Sequence, residues 1–326
     1  MTPTPEGESR PPRGHGVSRA EIRAQVKSAR ADIERQMQAT RAQIDATNER
    51  IAARTGRNLV LATLIGLVLG LAMLFSLIFI KELFMIVAVL IAGFTAFELA
   101  EALRRAGRNV PRIPVVISAV AVVPLAFYLG AAGQLLATFA GIALIGLWRL
   151  VLQLWPAHRS NAKSFWGDVG AGVLIEVYVV FLASFAVLLV AQDDGQWWTL
   201  AFLILVISSD TGAYAAGLSF GKHPMAPSIS PKKNWEGFAG AAAACLVAGI
   251  LLALFMLDQP WWFGIVFGLV MLLTATFGDL AESLIKRDIG IKDMSSWLPG
   301  HGGFLDRLDS ILPSAAAAYA LFLIFA

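Results

Sequence analysis

From residue 59 to its end the chain is a succession of apolar stretches broken by short polar ones. They fall at about 59–80, 82–102, 113–130, 132–154, 169–191, 197–217, 237–257, 261–285 and 310–326. Each is near the ~20 residues that a helix needs to cross the hydrocarbon core, the last being short. Backbone groups in lipid must be bonded within the protein, so the pattern predicts helices and not strands of an open sheet. The fold class is therefore all-α: a polytopic integral membrane protein with about nine transmembrane helices. The polar N-terminus before the first apolar stretch is too long for the n-region of a signal peptide, and no cleavable signal is expected. Residues 1–18, rich in Pro, Gly and charge, are expected to be disordered. Residues 19–54 read as a charged helix in which Val26, Ile33, Met37, Ile44 and Ile51 fall at spacings of seven and four. Arg23, Arg30, Thr40 and Thr47 interrupt that seam. The arm is expected to be a solvated cytoplasmic helix, with a coiled-coil arm or a membrane-surface helix as alternatives. Two domains follow: the N-terminal arm, residues 1–57, and a transmembrane catalytic domain, residues 58–326.

Composition agrees with the pattern. The 326 residues are 57% hydrophobic and 15% charged, with a mean hydropathy of +0.68, which no ordinary soluble domain of this size shows. A net charge of only +3 gives no reason to expect a nucleic-acid partner; the position of the charges says more. With the N-terminus in the cytoplasm, the inside loops carry Arg104, Arg105, Arg108 and Arg112, then Arg159 and Lys163, then Lys222, Lys232 and Lys233, then Lys286, Arg287, Lys292 and Arg307. The outside loops carry only Lys81 and include the acidic Asp193-Asp194. That alternation obeys the positive-inside rule, and Trp197, Trp198, Trp261 and Trp262 fall at the outer boundaries as aromatic anchors. The single cysteine, Cys245, excludes an intrachain disulfide and a Cys-based zinc site.

Two long inside loops hold the candidate chemistry. Residues 283–310 contain four Lys/Arg, four Asp and one His in 28 positions, around the turn Gly300-His301-Gly302-Gly303. Asp279, Glu282, Ser283 and Lys286 are spaced to share one helical face near the cytoplasmic end. Carboxylates in a membrane helix cost roughly 2.5–3.5 kcal/mol on insertion scales, so Asp279, and Asp210 in an earlier helix, mark a cavity or a site. A satisfied polar contact is the plainer reading for Asp210, and snorkelling suffices for Lys286. Asp306 and Asp309 are three apart, and so close a pair suits a hard divalent cation such as Mg²⁺. Acidic capping of a helix N-terminus is the alternative. Glycines at 302 and 303 would let backbone N–H groups approach phosphate oxygens, with Lys286, Arg287, Lys292 and Arg307 as counter-charges. In the other loop Ser230, Lys232, Lys233 and Asn234 read as a second phosphate-contacting segment, or as a positive anchor that only sets topology. No P-loop, GxGxxG or HExxH motif is present. Carboxylates for a metal plus cations and glycines for phosphates, at a membrane face, suit phosphoryl or nucleotidyl transfer.

The stretch from Ser283 to Asp309 closely resembles the signature of the phosphatidate cytidylyltransferases, or CDP-diacylglycerol synthases. Ser230-Pro-Lys-Lys-Asn-Trp-Glu-Gly237 is similar to that family's Ser-Pro-Lys-Lys-x-Trp-Glu-Gly segment, with Asn234 where Thr is more usual. Ser209-Asp210-Thr-Gly-Ala-Tyr214 resembles a third segment. The likeness covers about 59–326 and says nothing of the arm. It implies transfer of a cytidylyl group from CTP to phosphatidic acid, giving CDP-diacylglycerol and pyrophosphate, by a membrane-embedded helical homodimer in the cell membrane with its active site facing the cytoplasm. It implies Mg²⁺ at Asp279 and Asp306, with Asp309 beside them, and a monovalent cation such as K⁺. It also implies that Lys286, Arg287, Lys292, Arg307, His301, Gly302 and Gly303, with Lys232 and Lys233, hold the CTP or lipid phosphates. A CTP-dependent polyprenol kinase and an ion-coupled transporter working through Asp210 and Asp279 are the competing functions.

Overall fold

The computed structural model describes residues 59–295, Trp297 and residues 302–326. The N-terminal arm and His301 lie outside the described residues. Every apolar stretch is helical: α1 Leu59–Phe79, α2 Lys81–Arg105, α3 Arg112–Leu152, α4 Ala162–Ala191, α5 Gly195–Phe220, α6 Trp235–Phe255, α7 Trp261–Asp288 and α8 Leu305–Phe325. Seven of these, α2 to α8, are long and apolar enough to cross a membrane. The 41-residue α3 contains two of the expected stretches. Its backbone leaves the helix at Gly130, with φ 65° and ψ −157°, a region open to glycine. The chain then doubles back: Gly133 packs on the Leu125 carbonyl, and Gly141 lies against Ser118. α3 is thus a helical hairpin.

The same physics sets the other contacts. In lipid there is no hydrophobic drive between helices, so association depends on close packing and small residues. α6 and α7 touch backbone to backbone at Gly249, Gly264 and Gly268. α5 and α6 do so at Gly212 and Gly240. α8 packs on α4, α5 and α7 and closes the group. Trp198, expected as a boundary anchor, is turned inward instead: it is 4% exposed and meets Phe263 and Phe322 edge-on and Phe267 at a tilt. Its ring finds more partners in the seam of α5, α7 and α8 than at a boundary. Trp197, Trp261 and Trp262 remain exposed.

Contacts also pair the connections as the alternation requires. Lys81 Nζ donates to the Gln192 carbonyl at 2.6 Å, and both were expected outside. Among the loops expected on the opposite side, the Asn109 amide donates to Asp168 at 2.8 Å, and Arg287 Nε to the Ile229 carbonyl at 3.2 Å. One element has no counterpart in the sequence reading. Residues 224–234 form a small antiparallel hairpin, β1 Pro224–Ala226 and β2 Ser230–Asn234, with Pro224 opposite Asn234.

A side chain on Gly268 would meet the Cys245 carbonyl oxygen 2.5 Å away, and main chain cannot step aside. Gly268→Val is expected to destabilise the bundle by about 1–3 kcal/mol. Thermal melting in detergent, followed by size exclusion, reads the loss. Gly70→Ala, which meets open space, should melt like the parent.

Candidate active site

The last turns of α7 carry Asp279, Glu282, Ser283 and Lys286 on one face, as their spacing requires. Ser283 Oγ donates to Asp279 at 3.4 Å, and Lys286 Nζ pairs with Glu282 at 2.5 Å. Glu282 is 1% exposed. The same ammonium reaches Asp306 at 3.0 Å, so one lysine joins α7 to the start of α8. The other Asp306 oxygen accepts the Gly303 amide at 2.8 Å and the Met294 amide at 3.3 Å.

This explains the glycines. Gly302 has φ +83°, where a side chain is strained. A Cβ there would also lie 2.8 Å from Asp306 Oδ2, and one on Gly303 would strike Glu98. The amides of Gly303, Phe304 and Leu305 are donated to protein carboxylates: the first to Asp306, the others to Glu98 at 3.1 and 2.8 Å. Ser295 also donates to Glu98. Glu98 sits on α2, 2% exposed, and holds the entry to α8 through charge-assisted bonds. Sequence reading did not single it out. Its only signal was a carboxylate within an apolar run, AFELAEAL, the same signal that marked Asp210.

On the other side of Asp279 the hairpin closes in. Lys233 Nζ lies 2.7 Å from Asp279 Oδ2. Asn234 caps α6 by accepting the Gly237 amide at 2.7 Å, while its amide nitrogen reaches the Gly217 carbonyl at 3.5 Å. Glu236 accepts from the amides of Lys222 and His223 and pairs with the His223 ring at 2.5 Å. A cavity of about 560 Å³ opens between α5, α6, α7 and the hairpin. Asp210, Ser230, Lys232, Lys233, Asn234 and Asp279 all line it, and Tyr214 and Ser209 complete its wall. Its size is that of a small-molecule site.

The sequence-predicted residues thus fall into two adjoining groups that meet at α7. Six line the cavity. Lys286, Asp306, Gly302 and Gly303 belong to the ion-paired junction beside it. Arg287, Lys292 and Arg307 are exposed around the junction. Asp309 accepts the Ser310 amide at 2.7 Å, and its backbone carbonyl packs on Gly278.

The three expected metal ligands are not arranged alike. Among the described residues no three His, Cys, Asp or Glu side chains stand ready as a metal cluster. Asp306 already has a cation and two amides, and Asp279 has the Lys233 ammonium. Asp279 and Asp210 line the cavity, and Asp309 stands where its backbone carbonyl packs on Gly278 of α7, so the side-chain donors these residues offer are carboxylate oxygens. That donor chemistry is the kind a hard divalent cation takes.

The chain matches the cytidylyltransferase family over residues 60–325. It is 42% identical over 273 residues to the phosphatidate cytidylyltransferase of Mycobacterium bovis, covering 82% of this chain and 89% of that protein. The phosphatidate cytidylyltransferase of Mycobacterium leprae is 38% identical over 276 residues, covering 82% and 88%. That of Brucella suis is 39% identical over 187 residues, covering 57% and 66%.

Glu98→Gln keeps the side chain's shape but removes its charge and one acceptor oxygen. The amides of Phe304 and Leu305 should then open more readily by about 1–3 kcal/mol. Hydrogen exchange resolved to those amides measures it, and unchanged protection there would refute the anchoring role.

Proposed function

The chain belongs to the cytidylyltransferase family, and on that premise we infer that it transfers the cytidylyl group of CTP to phosphatidic acid, releasing pyrophosphate and leaving CDP-diacylglycerol in the membrane. The observation that carries this reading is the contact of Lys233 with Asp279 inside the 560 Å³ cavity. Two motifs nearly fifty residues apart, one rich in lysine and one in carboxylates, converge on a space sized for a nucleotide.

A phosphate oxygen of the lipid attacks the α-phosphorus of CTP in line. A new P–O bond forms there as the bond to the bridging oxygen of the β-phosphate breaks, and pyrophosphate leaves. The attacking phosphate is already ionised, so the step needs positioning and charge neutralisation and no general base. Lys232 and Lys233, which line the cavity from the hairpin side, would take the triphosphate, with Ser230 as a hydroxyl donor. Asn234 shapes the wall by fixing the start of α6. Lys286, held by Glu282 and Asp306, keeps the α7–α8 junction in place, and Arg287, Lys292 and Arg307 provide positive charge around it. Mg²⁺, which Asp279 and Asp309 fit by donor chemistry, would neutralise phosphate charge when bound. Asp306 orders the turn that brings Asp309 to that position.

The cavity lies with the Lys- and Arg-rich connections, which supports a site facing the cytoplasm from the cell membrane. A homodimer belongs to the same proposal, and crosslinking in native membranes reads it.

Purified protein with phosphatidic acid and α-³²P-labelled CTP should place label in lipid, and only when Mg²⁺ is present. Asp279→Asn should lower that transfer by at least ~10²-fold while the protein elutes as a folded species. Label in lipid from γ-³²P-labelled CTP instead would establish a lipid kinase. No label from either, together with ion flux in sealed vesicles, would establish a transporter.

A further inference from the structure

A second concavity lies away from the polar cavity. Between α2 and α3 runs a groove of about 300 Å³, walled by Leu90, Gly93, Phe94 and Phe97 of α2, by Val120 of α3, and by Trp297. Its lining is almost wholly apolar. The wall residues on α2 run from Val89 to Phe97, which spans about 12 Å along the helix at 1.5 Å per residue. Leu90 and Val120 are 55% and 50% exposed, so the groove opens outward from two helices apolar enough to cross a membrane.

Three features set it apart from an ordinary lipid-facing furrow. First, its roof is not part of a membrane helix. Trp297 belongs to the connection from α7 to α8, and it stacks on Phe97 at 5.6 Å and meets Phe94 edge-on at 6.3 Å. Second, that connection is the one anchored at Glu98, the residue after Phe97, and Phe304 beside the anchor stacks on Phe94 at 5.4 Å. Third, a cation stands at the polar end. The Arg112 guanidinium lies 5.6 Å from the centre of the Phe97 ring and pairs with Glu101 at 2.9 Å. A hydrocarbon slot with a guanidinium at its mouth suits a lipid whose head is an anionic phosphate.

We propose that this groove seats one acyl chain of the phosphate-headed lipid substrate under Trp297, and so ties the lipid to the connection that carries Lys292 and Gly303. The proposal rests on the cytidylyl-transfer reading for the identity of that lipid. In a bilayer, an acyl chain entering the groove only exchanges one apolar surroundings for another, so burial by itself supplies little affinity. Selection comes from aromatic packing under Trp297 and from the charged mouth. The groove therefore discriminates by chain length and places the headgroup, and it does not bind CTP.

Gly93 allows the test. A Cβ built there meets nothing within 4 Å, and Gly93 lines the groove, so a larger side chain starts in groove space. Activity of the full chain in nanodiscs would be compared for dioleoyl and dihexanoyl phosphatidic acid. Gly93→Phe should lower the long-over-short ratio of kcat/KM by about tenfold, while Gly146→Leu, another glycine facing open space, leaves the ratio at the parent value. Equal losses for both substrates overturn the proposal. In parallel, phosphatidic acid with a photoreactive diazirine on one acyl chain should label the peptide holding Leu90 and Phe94, and Gly93→Phe should abolish that labelling. Equal labelling by the matching phosphatidylcholine overturns the assignment in favour of ordinary bilayer lipid. Chain-to-chain crosslinks from a photoreactive residue at Leu90 overturn it in favour of a second copy. Selective groove labelling without label transfer from CTP would leave the groove standing and remove the cytidylyl reading. Label transfer without groove labelling would do the reverse.

Discussion

One lysine between two acids holds the junction on which the site is built. Lys286 is 17% exposed at its side chain and contacts Glu282, which is 1% exposed, and Asp306, which is 11% exposed. Two carboxylates removed from water repel, and removing one member of such a group costs about 3–5 kcal/mol because the rest is left uncompensated. The ammonium therefore fixes where α8 begins relative to α7. Everything downstream follows from that: the left-handed Gly302, the Gly303 amide on Asp306, and the position of Asp309 against Gly278. Glu98 supports the same turn from α2 and makes the junction a three-helix feature.

The helices can serve this junction because they approach closely. Glycine contacts at 212, 240, 249, 264 and 268 bring α5, α6 and α7 together along their backbones. The hairpin between α5 and α6 is thereby brought over the end of α7, where Lys233 meets Asp279. The cavity is then bounded by helices in close backbone contact. This suits a reaction that depends on positioning and charge neutralisation more than on a protein nucleophile. The apolar groove roofed by Trp297 adds a hydrocarbon surface to the same connection.

Much of this was legible in the sequence, and the remainder was hidden for identifiable reasons. Apolar runs are long and local, so every expected span is a helix. The face shared by Asp279, Glu282, Ser283 and Lys286 followed from helical spacing alone. Asp210 was visible because a carboxylate in an apolar helix is costly. Glu98 carried the same signal, but its partners lie about two hundred positions later, beyond any local pattern. The β-hairpin was hidden because Pro, Ser and Lys are poor strand formers and its strands are short. The glycine turn was read as a phosphate cradle, since flexibility and close approach look alike for any partner. In the structure the close approach is made by Asp306 and Glu98. Trp198 looked like an interfacial anchor because position along a helix does not reveal which way a ring faces.

The central claim is that the Lys233–Asp279 contact belongs to a nucleotide site and is not only a structural ion pair. Calorimetric titration of the full chain with α,β-methylene CTP, which cannot release pyrophosphate, tests it directly. The account predicts that Lys233→Met binds this analogue at least about tenfold more weakly than the parent while melting at a similar temperature. Unchanged affinity in a folded Lys233→Met protein would contradict it.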